Sequence, residues 1–257
     1  MSLPDYPLAF WLVAIPAILV TGIAKGGFPA GAGGIAVPLM SLFIAPPAAA
    51  GIMLPILCAM DLFGVHAYWK KWSREHLRVL IPAAVVGIAL GGLAFGTLSV
   101  SGTRLIIGVI AVTFALNQML RITERLAARL AARRRPPGAV AGSFWSALSG
   151  FTSTLAHAGG PPFSIYMLPQ KLDRTVLVAT SVLFFLVVNY VKLVPYAMLG
   201  QLAPGNLVTS LMFAPLAPIG IWIGVWLHRR IPERAFYAIN YGLMLLVGIK
   251  LIYDALS

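Results

Sequence analysis

Charge is scarce in this sequence, and acid scarcer still: 10% of the 257 residues are charged and only 7 are Asp or Glu. A soluble domain carries roughly 25% charged residues, so the shortage excludes an ordinary water-soluble fold. Cysteine is nearly absent. Cys58 stands alone, which excludes an internal disulfide and a thiol relay within one chain. The histidines His66, His76, His157 and His228 are scattered without HxxxH spacing, so no metal and no other cofactor is expected. Lys and Arg are missing ahead of the first apolar run in MSLPDYPLAFWLVAIP. A cleaved signal peptide would begin with such a basic stretch, and the run therefore reads as the first membrane segment.

What the chain has is hydrophobicity, 60% of all residues, with a mean hydropathy of +0.90. Apolar runs of roughly 20 residues, the length that crosses a bilayer, recur from end to end and leave no room for a separate soluble domain. The net charge of +12 would suggest a nucleic-acid partner in a soluble protein, but its distribution excludes one. Of the 19 Lys and Arg, all but Lys25, Arg104, Lys192 and Lys250 fall in four short connections: Lys70 to Arg78, Arg121 to Arg135, Lys171 with Arg174, and Arg229 to Arg234. By the positive-inside rule these four face the cytoplasm. The expectation is a multi-pass protein of the bacterial inner membrane with both termini on the periplasmic side.

The apolar stretches cover about 8–25, 33–45, 48–68, 79–98 and 104–121, then 142–157, 160–169, 174–199, 206–227 and 233–254. Pro82-AAVV-Gly87-IAL-Gly91 shares its P-x4-G-x3-G spacing with Pro215-LAPI-Gly220-IWI-Gly224, and Asp61-x6-Tyr68 parallels Asn189-x6-Tyr196. Gly34 precedes Asp61 by 27 residues and Gly160 precedes Asn189 by 29. Three features in the same order indicate a duplication. The expected organisation is a first membrane repeat over 1–122, a basic cytoplasmic linker over 123–141 and a second repeat over 142–257. Combined with the charge rule, equivalent segments run in opposite directions. The expected fold is all-α: two inverted-topology repeats of about five segments, with broken or re-entrant half-helices meeting near the midplane.

The breaks carry the candidate chemistry. HAGGPP, starting at His157, and GGFPAGAGG, starting at Gly26, interrupt apolar sequence with glycine and proline. A helix that starts inside the membrane directs free N–H groups and the positive end of its dipole at the break, which makes an anion site. Gly33, Gly34, Gly159 and Gly160 would frame it, unless these glycines serve only close packing. Ionisable residues inside a membrane are costly and each is a functional candidate. Lys25, His157, Asn189 and Lys192 are candidate substrate ligands, and Asp61 and His66 candidate proton carriers. Each has a plainer reading: Lys192 pairing with Asp61 or snorkelling, Asp61 as a buried charge partner, His66 at the interface, His157 serving the fold. Arg121, Arg125 and Arg129 share one face of an expected interfacial helix, while Trp69, Trp72 and Trp145, and Lys250 with Tyr253, suit the membrane surface.

TGIAKGGFPAGAGGIAVPLM, GVHAYWKKW, and RTVLVATS with the later Asn189 and Lys192 resemble the TauE/SafE family, the sulfite-exporter or sulfonate-permease group, over nearly the full length. The second glycine motif departs from the family pattern, being HAGGPP instead of a plain glycine triplet. The resemblance implies a membrane bundle, not an enzyme, that moves sulfite, sulfoacetate or a related organosulfonate. The expected function is secondary transport of such an anion, with export preferred over proton-coupled uptake and over an anion channel. The expected partners are the anion, the lipid bilayer and protons, with a homodimer as one oligomeric option.

Overall fold

A computed structural model of the chain describes residues 5–27, 34–131, 137–227 and 233–257, and the regular structure in them is helical. In chain order the helices are α1 (Leu8–Gly27), α2 (Ala36–Met40), α3 (Pro46–Ala67), α4 (Arg74–Thr97), α5 (Val100–Met119), α6 (Ile122–Ala131), α7 (Ala139–Ala156), α8 (Gly160–Met167), α9 (Arg174–Met198), α10 (Pro204–Phe213), α11 (Leu216–Leu227) and α12 (Glu233–Leu256). Among the described residues five of them, α1, α3, α4, α5 and α9, are long and apolar enough to cross a membrane, and α10 with α11 forms a pair bent by 43°, a broken span or a re-entrant loop.

The sequence sets most helix ends by recognisable means. α3 begins on Pro46 and Pro47, and α8 on Gly160-Pro161-Pro162, because a first-turn proline gives up an N–H that has no partner there anyway. Ser99 caps α5 by accepting the Gly102 N–H at 3.0 Å, and Asp173 caps α9 by accepting that of Thr175 at 2.8 Å. Lys70, Arg121 and Lys171 follow helical segments in the left-handed backbone region, with φ of 60°, 51° and 51°. A cation at that position meets the negative end of the helix dipole.

Three expectations change. Residues 206–227 are two helices, because Pro215 lacks the N–H that would carry α10 onward and its ring crowds the preceding turn. The second short stretch shrinks to the five-residue α2 followed by turns. Arg121 precedes α6 instead of sharing a helical face with Arg125 and Arg129.

Packing follows the repeated motif. α1 lies along α11 and α7 along α4, while α3 packs on α9 and α5 on α12. Each contact becomes another contact of the set, or itself, when the elements of one half are exchanged for their counterparts. The glycines of the two P-x4-G-x3-G motifs make close approaches: a Cβ on Gly220 would stand 2.9 Å from the Gly22 Cα, and one on Gly91 would stand 2.9 Å from the Thr154 Cβ. On Gly87 it would collide with the Ala147 carbonyl and on Gly224 with the Ile23 carbonyl. Small residues that let helix backbones touch are a main source of association in lipid. The motif therefore does the same packing work twice.

At the surface, Trp69 and Trp72 stack edge to face at 5.7 Å, and Lys250 pairs with Asp254 while lying 5.6 Å from the Tyr253 ring centre. The linker region contains α6, which packs on α8.

Candidate anion site

α7 stops at Ala156 because His157 turns into the left-handed region, φ 52°. That conformation costs an L-residue other than glycine of the order of 1 kcal/mol, although histidine is among the types that adopt it more often. Two residues later α8 starts. The backbone groups exposed by the break are satisfied from α7 itself: Thr152 Oγ1 donates to the Ala158 carbonyl at 3.1 Å and Ser149 Oγ to that of Gly159 at 2.6 Å. A hydroxyl-rich helix, SALSGFTSTLA, thus meets the requirement that no backbone polar group remain unpaired in lipid. Pro161 and Pro162 have no N–H, so the start of α8 contributes its dipole and the amides of Gly159 and Gly160, fewer donors than an ordinary helix start.

The last turn of α7 is held by α9. Tyr196 donates its hydroxyl to the Thr154 carbonyl at 2.6 Å. Lys192, fully buried, contacts the Ser153 carbonyl at 3.1 Å, Ser153 Oγ at 3.0 Å and His157 Nδ1 at 2.7 Å. Its ammonium form has three N–H donors, and these contacts use all three. A cation at a helix C-terminus is favourable in itself. The opposite ring nitrogen, His157 Nε2, lies 3.1 Å from the Ala50 carbonyl. A carbonyl only accepts, so Nε2 carries the hydrogen and Nδ1 faces Lys192 as the acceptor.

Across the α3–α9 contact, Asn189 Nδ2 donates to Asp61 Oδ2 at 2.5 Å, so the two residues that matched by position in the repeat meet each other. The other carboxylate oxygen is paired with Lys25, at the end of α1. The plainer reading of Lys192 as the ion-pair partner of Asp61 does not hold: the buried carboxylate pairs with Lys25.

These groups surround a cavity of about 90 Å³, bordered by Lys25, Gly34, Asp61, Ser153, His157, Gly160 and Asn189 among others. One water needs about 10–15 Å³, so the space admits a small hydrated ion. Gly34 comes within van der Waals reach of Ala158, a Cβ on it standing 3.9 Å from the Ala158 Cα. The second break therefore adjoins the end of the first. Gly33 lies outside the described residues. Gly159 sits behind the cavity, pressed against Ser149. Lys192 touches the space only through Ser153 and His157. His66 is exposed near the end of α3, away from the cavity.

The charge balance is simple. Six of the seven acidic residues, all except Asp61, lie outside the helices or within their terminal turns or in the short α6. With both lysines protonated, Lys25 and Lys192 stand against Asp61 alone, two positive charges and one negative, leaving one positive charge at the cavity. A net positive charge at the cavity attracts anions.

A family model described as Sulfite exporter TauE/SafE matches residues 14–251, from α1 to α12. The chain belongs to the sulfite exporter TauE/SafE family. No curated protein and no solved structure matches it. Membership makes this a multi-pass protein of a family of membrane transporters, and the matched range contains both breaks and every residue of the cavity. Ser153, Ser181 and Thr21 also border the TauE/SafE cavity and were not among the expected site residues. Ser153 had a signal, the run of hydroxyls leading into the break. Ser181 closes the stretch RTVLVATS and follows Thr180, and nothing in that order marked it as a lining residue; Thr21 is a single hydroxyl in the apolar α1.

Proposed function

We propose that this TauE/SafE protein is a secondary transporter that moves a small sulfur oxyanion, sulfite or an organosulfonate such as sulfoacetate, across the inner membrane, chiefly outward. The observation that carries the reading is a cavity at the break between α7 and α8 whose lining includes the cation of Lys25 with Ser153, Gly160 and Asn189. The ligands would be Lys25 and the amides near Gly160, with Asn189 and Ser153 as neutral hydrogen-bonding groups.

The direction rests on the basic connections. With those inside, the two halves run antiparallel as inverted repeats, and the exchange pattern of helix contacts supports this. The cavity-lining residues Val178, Ser181, Val182 and Phe185 of α9, and Leu57 to Gly64 of α3, then belong to the cytoplasmic halves of their helices, with Asn189 just beyond the middle of α9. The opposite side is filled by Phe10, Met53, Leu54, Tyr196 and Phe213, all buried in one apolar cluster. α10 lies over that side, with Ser210 Oγ donating to the Ile52 carbonyl at 2.8 Å. A site open to the cytoplasm and sealed beyond supports a carrier over a standing channel. An inside-negative potential favours the exit of net negative charge by about 2.3 kcal/mol per charge per 100 mV, which supports export.

The test is binding to the purified protein followed by transport. Sulfite, sulfoacetate and sulfate are expected to raise its melting temperature, and saturable counterflow of the bound anion is expected in proteoliposomes. If no sulfur anion stabilises the protein, the assignment fails; if currents reach channel rates, the carrier mechanism fails.

A further inference from the structure

Asp61 occupies an unexpected place for an anion transporter. It is the one carboxylate within the apolar interior, and it already holds the cation that a substrate would need. We propose that Asp61 is an internal stand-in for the transported anion: it neutralises Lys25 in the empty protein and takes up a proton when the substrate binds, so that each anion is loaded together with one proton.

The proposal rests on the sulfur-anion reading above and deepens it. Of the two lysines, only Lys25 can change partners. Lys192 has its three donors committed to Ser153 and His157 and is fully buried, whereas the Lys25 side chain is 22% exposed at the cavity and its only ion-pair partner among the described residues is Asp61, itself 3% exposed. An anion entering the cavity must therefore compete with Asp61 for Lys25. Two negative groups held close together on one cation repel each other, and protonating one of them resolves the conflict. The substrate comes from solution as an anion, and the fixed carboxylate takes the proton.

Asn189 suits both states of Asp61. Its Nδ2 now donates to Oδ2 at 2.5 Å. An amide also has an oxygen, so once Asp61 is protonated the same side chain can accept the acid hydrogen while still donating to the carbonyl. A carboxylate in the Asn189 position would repel the charged form, and an apolar residue would satisfy neither. Asp61 is the one carboxylate among the ionisable groups gathered here. Cys58 on its own helix, Tyr190 and Lys192 on α9, Lys25 on α1 and His157 at the end of α7 surround it, and none of the others is a carboxylate. Of the remaining helices packed on α3, α2, α10 and α11 carry no ionisable side chain, and Arg104 of α5 lies far along its helix from Phe114, the α5 residue that borders the cavity.

The charges balance. Empty, the site holds Lys25, Lys192 and a charged Asp61, one net positive charge; with a monoanion and a proton it holds the same net charge. A monovalent sulfonate then moves electroneutrally. A dianion such as sulfite keeps one negative charge after its proton is counted, and the membrane potential still drives it out.

Calorimetric titration of the wild-type protein with methanesulfonate, sulfate and sulfite, each in two buffers of different ionisation enthalpy near neutral pH, measures protons taken up per anion after correction for the anion's own protonation. The expected value is close to one. For Asp61→Asn it is zero, with anion binding tighter by roughly tenfold or more because the competing charge is gone and with its dependence on pH lost. Zero uptake by the wild type with an anion that binds overturns the proposal and leaves the transport reading standing. Uptake that persists in Asp61→Asn also overturns it. Should that variant not fold, infrared difference spectra of the wild type with sulfate decide: a protonated-carboxyl band that appears on binding supports the proposal, and its absence overturns it; should no anion bind the wild type, the transport reading falls and the proposal with it.

Discussion

The two halves of the chain contain the same parts in different settings. α4 runs unbroken for 24 residues through Pro82, whereas its counterpart is divided at Pro215 into α10 and α11 with a bend of 43°. One P-x4-G-x3-G motif thus sits in a straight helix and the other just beyond a bend. The charges diverge in the same way. In the first half Lys25 is answered by a carboxylate of its own half, Asp61; in the second, Lys192 is answered by a carbonyl, a hydroxyl and an imidazole. A cation held by neutral acceptors is fixed, because removing it orphans buried polar atoms. A cation held by a carboxylate beside a cavity can be traded for another anion. The two lysines thus differ in what holds them, Lys192 by neutral groups and Lys25 by a carboxylate that borders the cavity.

Removing each lysine should separate these roles most clearly. Lys192→Ala takes the donor from the Ser153 carbonyl and from His157 Nδ1 and leaves a void, and is expected to cost about 3–5 kcal/mol of stability, seen in thermal unfolding with or without anion. Lys25→Ala should cost less, because Asp61 keeps Asn189 and can be neutralised by a proton, yet it should abolish stabilisation by anions. A larger loss of stability in Lys25→Ala than in Lys192→Ala would reverse the assignment. Next in size are the helix contacts: Gly87→Ala and Gly220→Ala each force an already touching pair of helices apart and should cost about 1–3 kcal/mol, similar in the two halves. Markedly unequal losses would mean that the motifs do different work. Smallest is His66→Ala, expected within about 0.5 kcal/mol of wild type and without effect on anion binding, since the residue is exposed and away from the cavity.

The broad fold and the location of the breaks were legible because lipid imposes them. Apolar length, basic connections and glycine-proline interruptions each follow from the cost of placing charge or unpaired backbone in hydrocarbon. Lys25, Asp61, Asn189, Lys192 and His157 could be singled out as ionisable or polar residues in the wrong solvent, but not their pairing. Spacing along α9 places Asn189 and Lys192 on one face and cannot tell which neighbouring helix each will meet. The bend at Pro215 was hidden for a related reason: Pro82, in matching sequence, is accommodated in a straight helix, so packing and not the proline alone decides. The role of Ser149 and Thr152 in closing the break depends on the turn that His157 makes, which no periodicity announces.

The exchanged glycine contacts bear on how the chain is made. Gly22 finds its closest neighbour in Gly220, and Gly87 finds one in Ala147, so α1 and α4 each complete their packing only against helices synthesised later. Such distant contacts delay folding until the partner strand of sequence has emerged. For most of its synthesis the first helix must stand in lipid with a bare glycine face, waiting for the penultimate one. Nascent chains truncated before α11 should consequently be the ones that quality-control proteases recognise.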